Sequence, residues 1–166
     1  MKIGKLNKDQ KGFSLLELVI VIALTGLITA AITTTVFQVF NMNTRTANRM
    51  AAVSQVQHAG KIVSEDILEA RPNTIYVNPT GGELLILTLS AQNSTVTYTL
   101  DDGVLWRSEP VDGGDPILTR VAEYIDSDPI KTDCYWENSV LIFMVTATVG
   151  DESETRTYKV QPRPGS

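Results

Sequence analysis

The chain is poor in the residues that carry most protein chemistry. In 166 residues there is one cysteine, Cys134, and one histidine, His58. An intrachain disulfide is therefore excluded. So are the usual zinc sites and Cys–His nucleophile pairs, which need several such side chains. Cys134 reads as a small buried apolar residue. His58 lies on no metal-ligand spacing and reads as a surface or boundary side chain. No glycine-rich phosphate loop is present. Basic residues are scarce beyond the first twelve positions. Residues 1–12 hold four lysines against Asp9, a net of +3, while the remainder nets −8, which together give the overall −5. An acidic body of this kind lacks the clustered Lys and Arg of a nucleic-acid surface. No active-site set emerges, so the expectation is a protein that is not an enzyme and uses no cofactor and no metal.

Two further absences shape the N-terminal half. There is no proline before Pro72, and no ionisable residue between Glu17 and Arg45. The run from Leu18 to Ile32 (LVIVIALTGLITAAI) is apolar but for threonines and one glycine, which membrane helices tolerate. The uncharged interval is long enough to cross a hydrocarbon core of about 30 Å. After Phe40 the pattern becomes amphipathic. Met50, Val53, Val56, Val63 and Ile67 recur at helical spacing, with polar residues between them. Arg71-Pro72 is the expected stop. A continuous helix from Phe13 to Arg71 would be roughly 90 Å long. A kink is expected near Gly26 or Gly60, and Thr25 and residues 33–35 are further weak points.

Three readings of the N-terminus compete. A cleaved secretory signal would use the lysines as its basic region and Ala30-Ala31 as its cut. Against it, Glu17 sits at the start of the apolar run, and the helical pattern passes Ala31 without a break. A plain signal anchor is the second. The third rests on a resemblance.

The segment 11–28 (KGFSLLELVIVIALTGLI) closely resembles the prepilin signal of type IV pilins and of the pseudopilins of type II secretion and competence systems. The resemblance implies that a prepilin peptidase cuts between Gly12 and Phe13 and N-methylates Phe13. It implies that the apolar helix is kept and that Glu17 becomes the fifth residue of the mature chain. The physical logic is independent of the family. Glycine offers little bulk before the cut, and lysines hold the junction on the cytoplasmic side. Cleavage creates an amine at Phe13, four residues from Glu17 and on the same helix face. A lone carboxylate on a membrane helix costs a few kcal/mol and usually has a partner. Paired with the Phe13 amine of a neighbour, Glu17 would set the register of an incoming subunit. The bland alternative is a carboxylate snorkelling into headgroups.

Past Pro72 the pattern changes to short alternating runs with turn signals. Strands are expected at residues 74–78, 83–90, 94–100, 104–108, 139–149 and 154–161. Residues 117–125 are read as helix or strand, with strand preferred. Asp101-Asp102-Gly103 is a hairpin turn. The expected fold class is α+β, a long N-terminal helix packed on an antiparallel sheet of about five to seven strands. The domains are residues 1–12 (cleaved leader), 13–40 (transmembrane or filament-core half-helix), 41–71 (amphipathic half-helix) and 72–166 (β-rich head). Asp101-Asp102-Gly103 and Asp112-Gly113-Gly114-Asp115 could offer oxygens to calcium, which some pseudopilins bind, but neither matches a full calcium loop and both read as turns. Asp126, Asp128 and Asp133 read as a solvated acidic stretch, and Trp106 and Trp136 as core or rim anchors.

The phrase at residues 66–72 (DILEARP), the Tyr98 strand leading to Leu105-Trp106-Arg107, and residues 117–124 (ILTRVAEY) resemble the J-type minor pseudopilins. The resemblance implies a minor pilin or pseudopilin subunit. Its partners would be prepilin peptidase, other pilin subunits, an inner-membrane assembly platform and, before assembly, membrane lipid. The C-terminal body would be extracytoplasmic. The alternative function is a signal-anchored extracytoplasmic binding domain that never polymerises.

Overall fold

The computed structural model describes residues 14–78, 83–89 and 94–163. The fold is α+β, one long N-terminal helix and two antiparallel sheets. Helix α1 occupies Leu15–Glu69, and both Gly26 and Gly60 fall inside it. The chain divides into two compact units, Met1–Asn43 and Thr44–Ser166.

In the first unit every described residue is exposed. The helix there is long and apolar enough to cross a membrane. Its threonines hide their hydroxyls in the helix backbone. Thr29 Oγ1 donates to Thr25 O at 2.8 Å and Thr33 Oγ1 to Thr29 O at 2.8 Å. Thr35 Oγ1 donates to Ala31 O at 2.9 Å, and Thr25 Oγ1 bonds Val21 O in the same way. Such i−4 bonds satisfy a polar group where no water is at hand.

In the second unit, α1 buries Ala52, Val56, Ala59, Gly60, Val63 and Ile67. The spacings of four, three and four residues are those of one helix face. Met50, expected on that stripe, is 68 % exposed. Ala52, four residues from Val56, falls on the buried stripe, whereas Met50, six residues from Val56, falls on another face of the helix. Ala70 forms a bridge with Leu89, and a single 3₁₀ turn at Pro72–Thr74 redirects the chain.

Eight strands follow: β1 (Tyr76–Val77), β2 (Glu83–Thr88), β3 (Thr95–Asp101), β4 (Val104–Glu109), β5 (Ile117–Ala122), β6 (Asp133–Glu137), β7 (Val140–Val149) and β8 (Glu152–Val160). They form not one sheet but two, with strand orders β1-β2-β3-β4-β5 and β6-β7-β8. Ile125 bridges Ala147. Asn78 Nδ2 donates to Asp133 Oδ1 at 2.7 Å and to Cys134 O at 3.2 Å, a second tie between the sheets. One core cluster draws on α1 and both sheets, with Tyr98, Leu105, Leu141 and Phe143 at its centre.

The ambiguous run at residues 117–125 is a strand in its first part, as preferred. The turn at Asp102-Gly103 has φ of 46° and 74°, the left-handed geometry that matches strand twist. The expected strand at 74–78 shrinks to two residues, because Pro72 starts a 3₁₀ turn instead. The last hairpin turns through two residues, Gly150-Asp151, instead of the four between the expected strands, so that β8 begins at Glu152, which faces Val149.

Strand β6 corrects the acidic-stretch reading. Its residues Tyr135 and Trp136 are strand formers, and Asn138 and Ser139, with φ of 49° and 65°, make its turn into β7 without a glycine. The aspartates around it are not simply solvated. Asp126 Oδ2 accepts from Lys131 Nζ at 2.6 Å, and Asp128 Oδ1 from the Ile130 amide at 2.9 Å. Asp133 Oδ1 accepts from the Cys134 amide at 2.8 Å. Each carboxylate ties the loop that delivers β6. Trp106 is half-buried and Trp136 is exposed on the rim. Cys134 is fully buried.

Candidate functional site

The N-terminal candidates begin where the helix begins. The Leu18 amide donates to the Ser14 carbonyl at 3.2 Å, which makes Ser14 the residue capping α1. Glu17 is then the third helical residue and lies in the first turn. The order Ser14-Leu15-Leu16-Glu17 is a capping-box pattern, in which a glutamate three residues after serine answers the free amides of the first turn. A negative charge there also complements the helix dipole. The Ser14–Glu17 spacing is legible in the sequence itself, as the serine and glutamate of a capping box directly before an apolar run. Glu17 is exposed, as are Leu15, Leu16 and Leu18 around it. Gly12 and Phe13 lie outside the described residues.

The C-terminal phrases at residues 66–72, 98 and 105–107, far apart in sequence, meet in space. Tyr98 Oη donates to Asp66 Oδ2 at 2.5 Å, and Arg107 Nε donates to the same oxygen at 2.7 Å. Arg107 Nη1 donates to Glu109 Oε2 at 2.7 Å. Tyr98 is fully buried, and the side chains of Arg107 and Asp66 are only 17 % and 14 % exposed. Burial, then the Asp66 charge, pushes the Tyr98 phenol far above its ordinary value. Burial opposes the Arg107 charge, but hydrogen bonds to Asp66 and Glu109 outweigh it and hold the guanidinium protonated. These groups join α1 to β3 and β4. Each polar group is answered by another, so the cluster is built for fastening the helix to the sheet.

His58 does more than occupy the surface. Its Nδ1 donates to the Val121 carbonyl at 2.8 Å, and Gln55 Oε1 accepts from the Glu123 amide at 2.8 Å. Both helix side chains answer backbone groups at the end of β5, a sheet-edge strand whose groups would otherwise be unpaired. Nothing local in the sequence announces this, since the partners are 63 and 68 residues away.

The described residues hold no group of three or more His, Cys, Asp or Glu side chains placed for a metal ion. Asp102-Gly103 and Gly113 adopt the left-handed conformations of turns. The Cys134 thiol is pushed up to about 12 by burial and, secondarily, by Asp133, which leaves it protonated and unreactive at neutral pH.

No curated protein and no solved structure matches the chain. Residues 7–33 match the family model described as the prokaryotic N-terminal methylation motif. The matched segment contains Gly12, Phe13, Ser14 and Glu17 and ends within the exposed apolar stretch of α1. The chain thus carries a type IV pilin-like prepilin signal, which supports a pilin- or pseudopilin-type precursor. A structural subunit anchored in a membrane by its apolar helix, with a C-terminal body, accounts for these features better than an enzyme does.

Proposed function

We propose that this chain is a minor pilin or pseudopilin subunit. Prepilin peptidase removes residues 1–12 by cutting between Gly12 and Phe13 and methylates the Phe13 amine. Residues 13–40 hold the mature chain in the inner membrane, with the body at residues 72–166 outside the cytoplasm. An inner-membrane platform then passes the chain into a filament of pilin-like subunits, where the apolar half-helices are buried against one another. Glu17 pairs with the Phe13 amine of a neighbour and sets its axial register.

The observation that carries this reading is the methylation motif at residues 7–33, which runs into a helix whose apolar residues 15–43 are all exposed. Exposure of that much apolar surface is stable only in lipid or against other helices. The meeting of Asp66, Tyr98 and Arg107, which come from two of the three phrases that resemble J-type minor pseudopilins, supports that reading.

Intact-mass and N-terminal analysis of the protein from its native host tests the proposal. An N-methylated Phe13 terminus is expected. A terminus at Met1, or one beyond Ala30, would overturn it in favour of an anchored domain or a secreted one.

A further inference from the structure

The outer side of β5 is treated differently along its length. At the C-terminal end α1 covers it, through His58 on the Val121 carbonyl and Gln55 on the Glu123 amide. Val121 and Ala122 are buried there. A bulge opposite Leu105 and Trp106 separates this part from the rest of the strand. From Ile117 to Arg120 every residue is exposed, with Ile117 at 58 % and Leu118 at 62 %. Strand β5 ends its sheet, so among the described residues no strand pairs with its other side.

Folded proteins usually blunt such an edge with charge. Strand β8, an edge of the other sheet, follows that rule and carries Glu152, Glu154, Arg156 and Lys159. The exposed part of β5 has only Arg120, and its charge is held by Glu123. An apolar edge left open in a chain that guards the β8 edge with charge points to a docking strand.

The approach to this edge is acidic. Asp112 and Asp115 are exposed and make no ion pair among the described residues, while the Glu109 charge is taken by Arg107. We propose that residues 117–120 accept an added strand from a different polypeptide, an extended segment of alternating apolar residues with a Lys or Arg at its end. Backbone hydrogen bonds would supply the pairing, Ile117 and Leu118 the apolar contacts, and Asp112 and Asp115 the preference for a cationic segment.

The test uses the full chain in detergent micelles and a capped synthetic peptide of alternating Val and Thr with a lysine at each end. Hydrogen exchange is followed in the segment covering residues 117–120. Saturable protection of that segment is expected. A peptide ending in glutamates should bind about fivefold more weakly, the scale of two exposed charge pairs. The double variant Asp112→Lys with Asp115→Lys should reverse that preference. A peptide N-methylated at every residue should give no protection, because neither of its edges has an N–H to donate and the methyl groups block close approach. Absence of protection at about 1 mM peptide, or equal protection by the N-methylated peptide, would overturn the proposal. Protection that grows with protein concentration in the absence of peptide would overturn it too, since the occupant would then be a second copy of this chain.

Discussion

The ring of Tyr158 lies directly over Gly60, and its hydroxyl donates to the Val56 carbonyl at 3.0 Å, one helical turn earlier. A Cβ at position 60 would sit inside that ring. Glycine is required there by close approach, not by backbone conformation. Gly60→Ala should raise the helix propensity of α1 by about 1 kcal/mol yet destabilise the body by roughly 1–3 kcal/mol through overpacking. Urea unfolding followed by tryptophan fluorescence measures the balance. An unchanged or higher midpoint would mean that Tyr158 is free to move aside.

The Asp66 carboxylate serves Tyr98 and Arg107 at once. Asp66→Asn keeps the shape but removes the charge, and leaves a largely buried guanidinium with one carboxylate. A loss of about 2 kcal/mol is expected, against about 1 kcal/mol for Tyr98→Phe, which removes a single hydroxyl. The same unfolding measurement applies, and equal losses would show that the charge adds nothing.

Alkaline pH should weaken the body through two buried acids. The Tyr98 phenol and the Cys134 thiol are both raised in the folded chain, from ordinary values of about 10 and 9. For a group raised on folding, the protonated folded state binds protons that the unfolded state releases first. The stabilisation is whole below the unfolded value and fades above it. Stability should therefore begin to fall near pH 9 and continue to fall as the Cys134 value of about 12 is approached. Replacement by Ala at Cys134 should remove the earlier part of the decline. At pH 8, alkylation of native Cys134 should be slow compared with the urea-unfolded chain, and comparable rates would contradict its burial.

Two roles can be separated at Glu17, closing a capping box with Ser14 and, under the proposed function, pairing with another subunit. Glu17→Gln retains a side chain that can close a capping box but cannot form an ion pair. Under the proposed function, both Glu17→Gln and Glu17→Ala should be cleaved between Gly12 and Phe13, and both should fail to enter filaments, as read by immunoblot of sheared filaments. If Glu17→Gln entered filaments normally, the capping role would suffice and the register role would be removed.

Much of the architecture was legible because its causes are local. The absence of proline to Arg71, the uncharged interval from Glu17 to Arg45 and the alternating runs at β2, β3, β4 and β7 need only a window of neighbours to be read. The leader signal and Glu17 are legible for the same reason. Strand β6 was missed because three aspartates nearby suggested solvent, although the loop uses them as internal acceptors. Met50 is exposed because, at about 100° per residue, it falls on a face away from the stripe of Ala52, Val56, Val63 and Ile67.

The sequence by itself determined that an apolar helix follows a lysine-rich N-terminal segment, that an acidic body of alternating strand patterns comes after it, and that only one cysteine and one histidine are present. Only the tertiary structure decided that there are two sheets, that Gly60 must admit a ring, that His58 and Gln55 close half of the β5 edge, and that residues 117–120 stay open. The physical reason is distance along the chain. Helix period, strand alternation and turn geometry are set by adjacent residues, whereas Tyr158 reaches Val56 across 102 positions and His58 reaches Val121 across 63. Contacts of that kind exist only once the chain has folded.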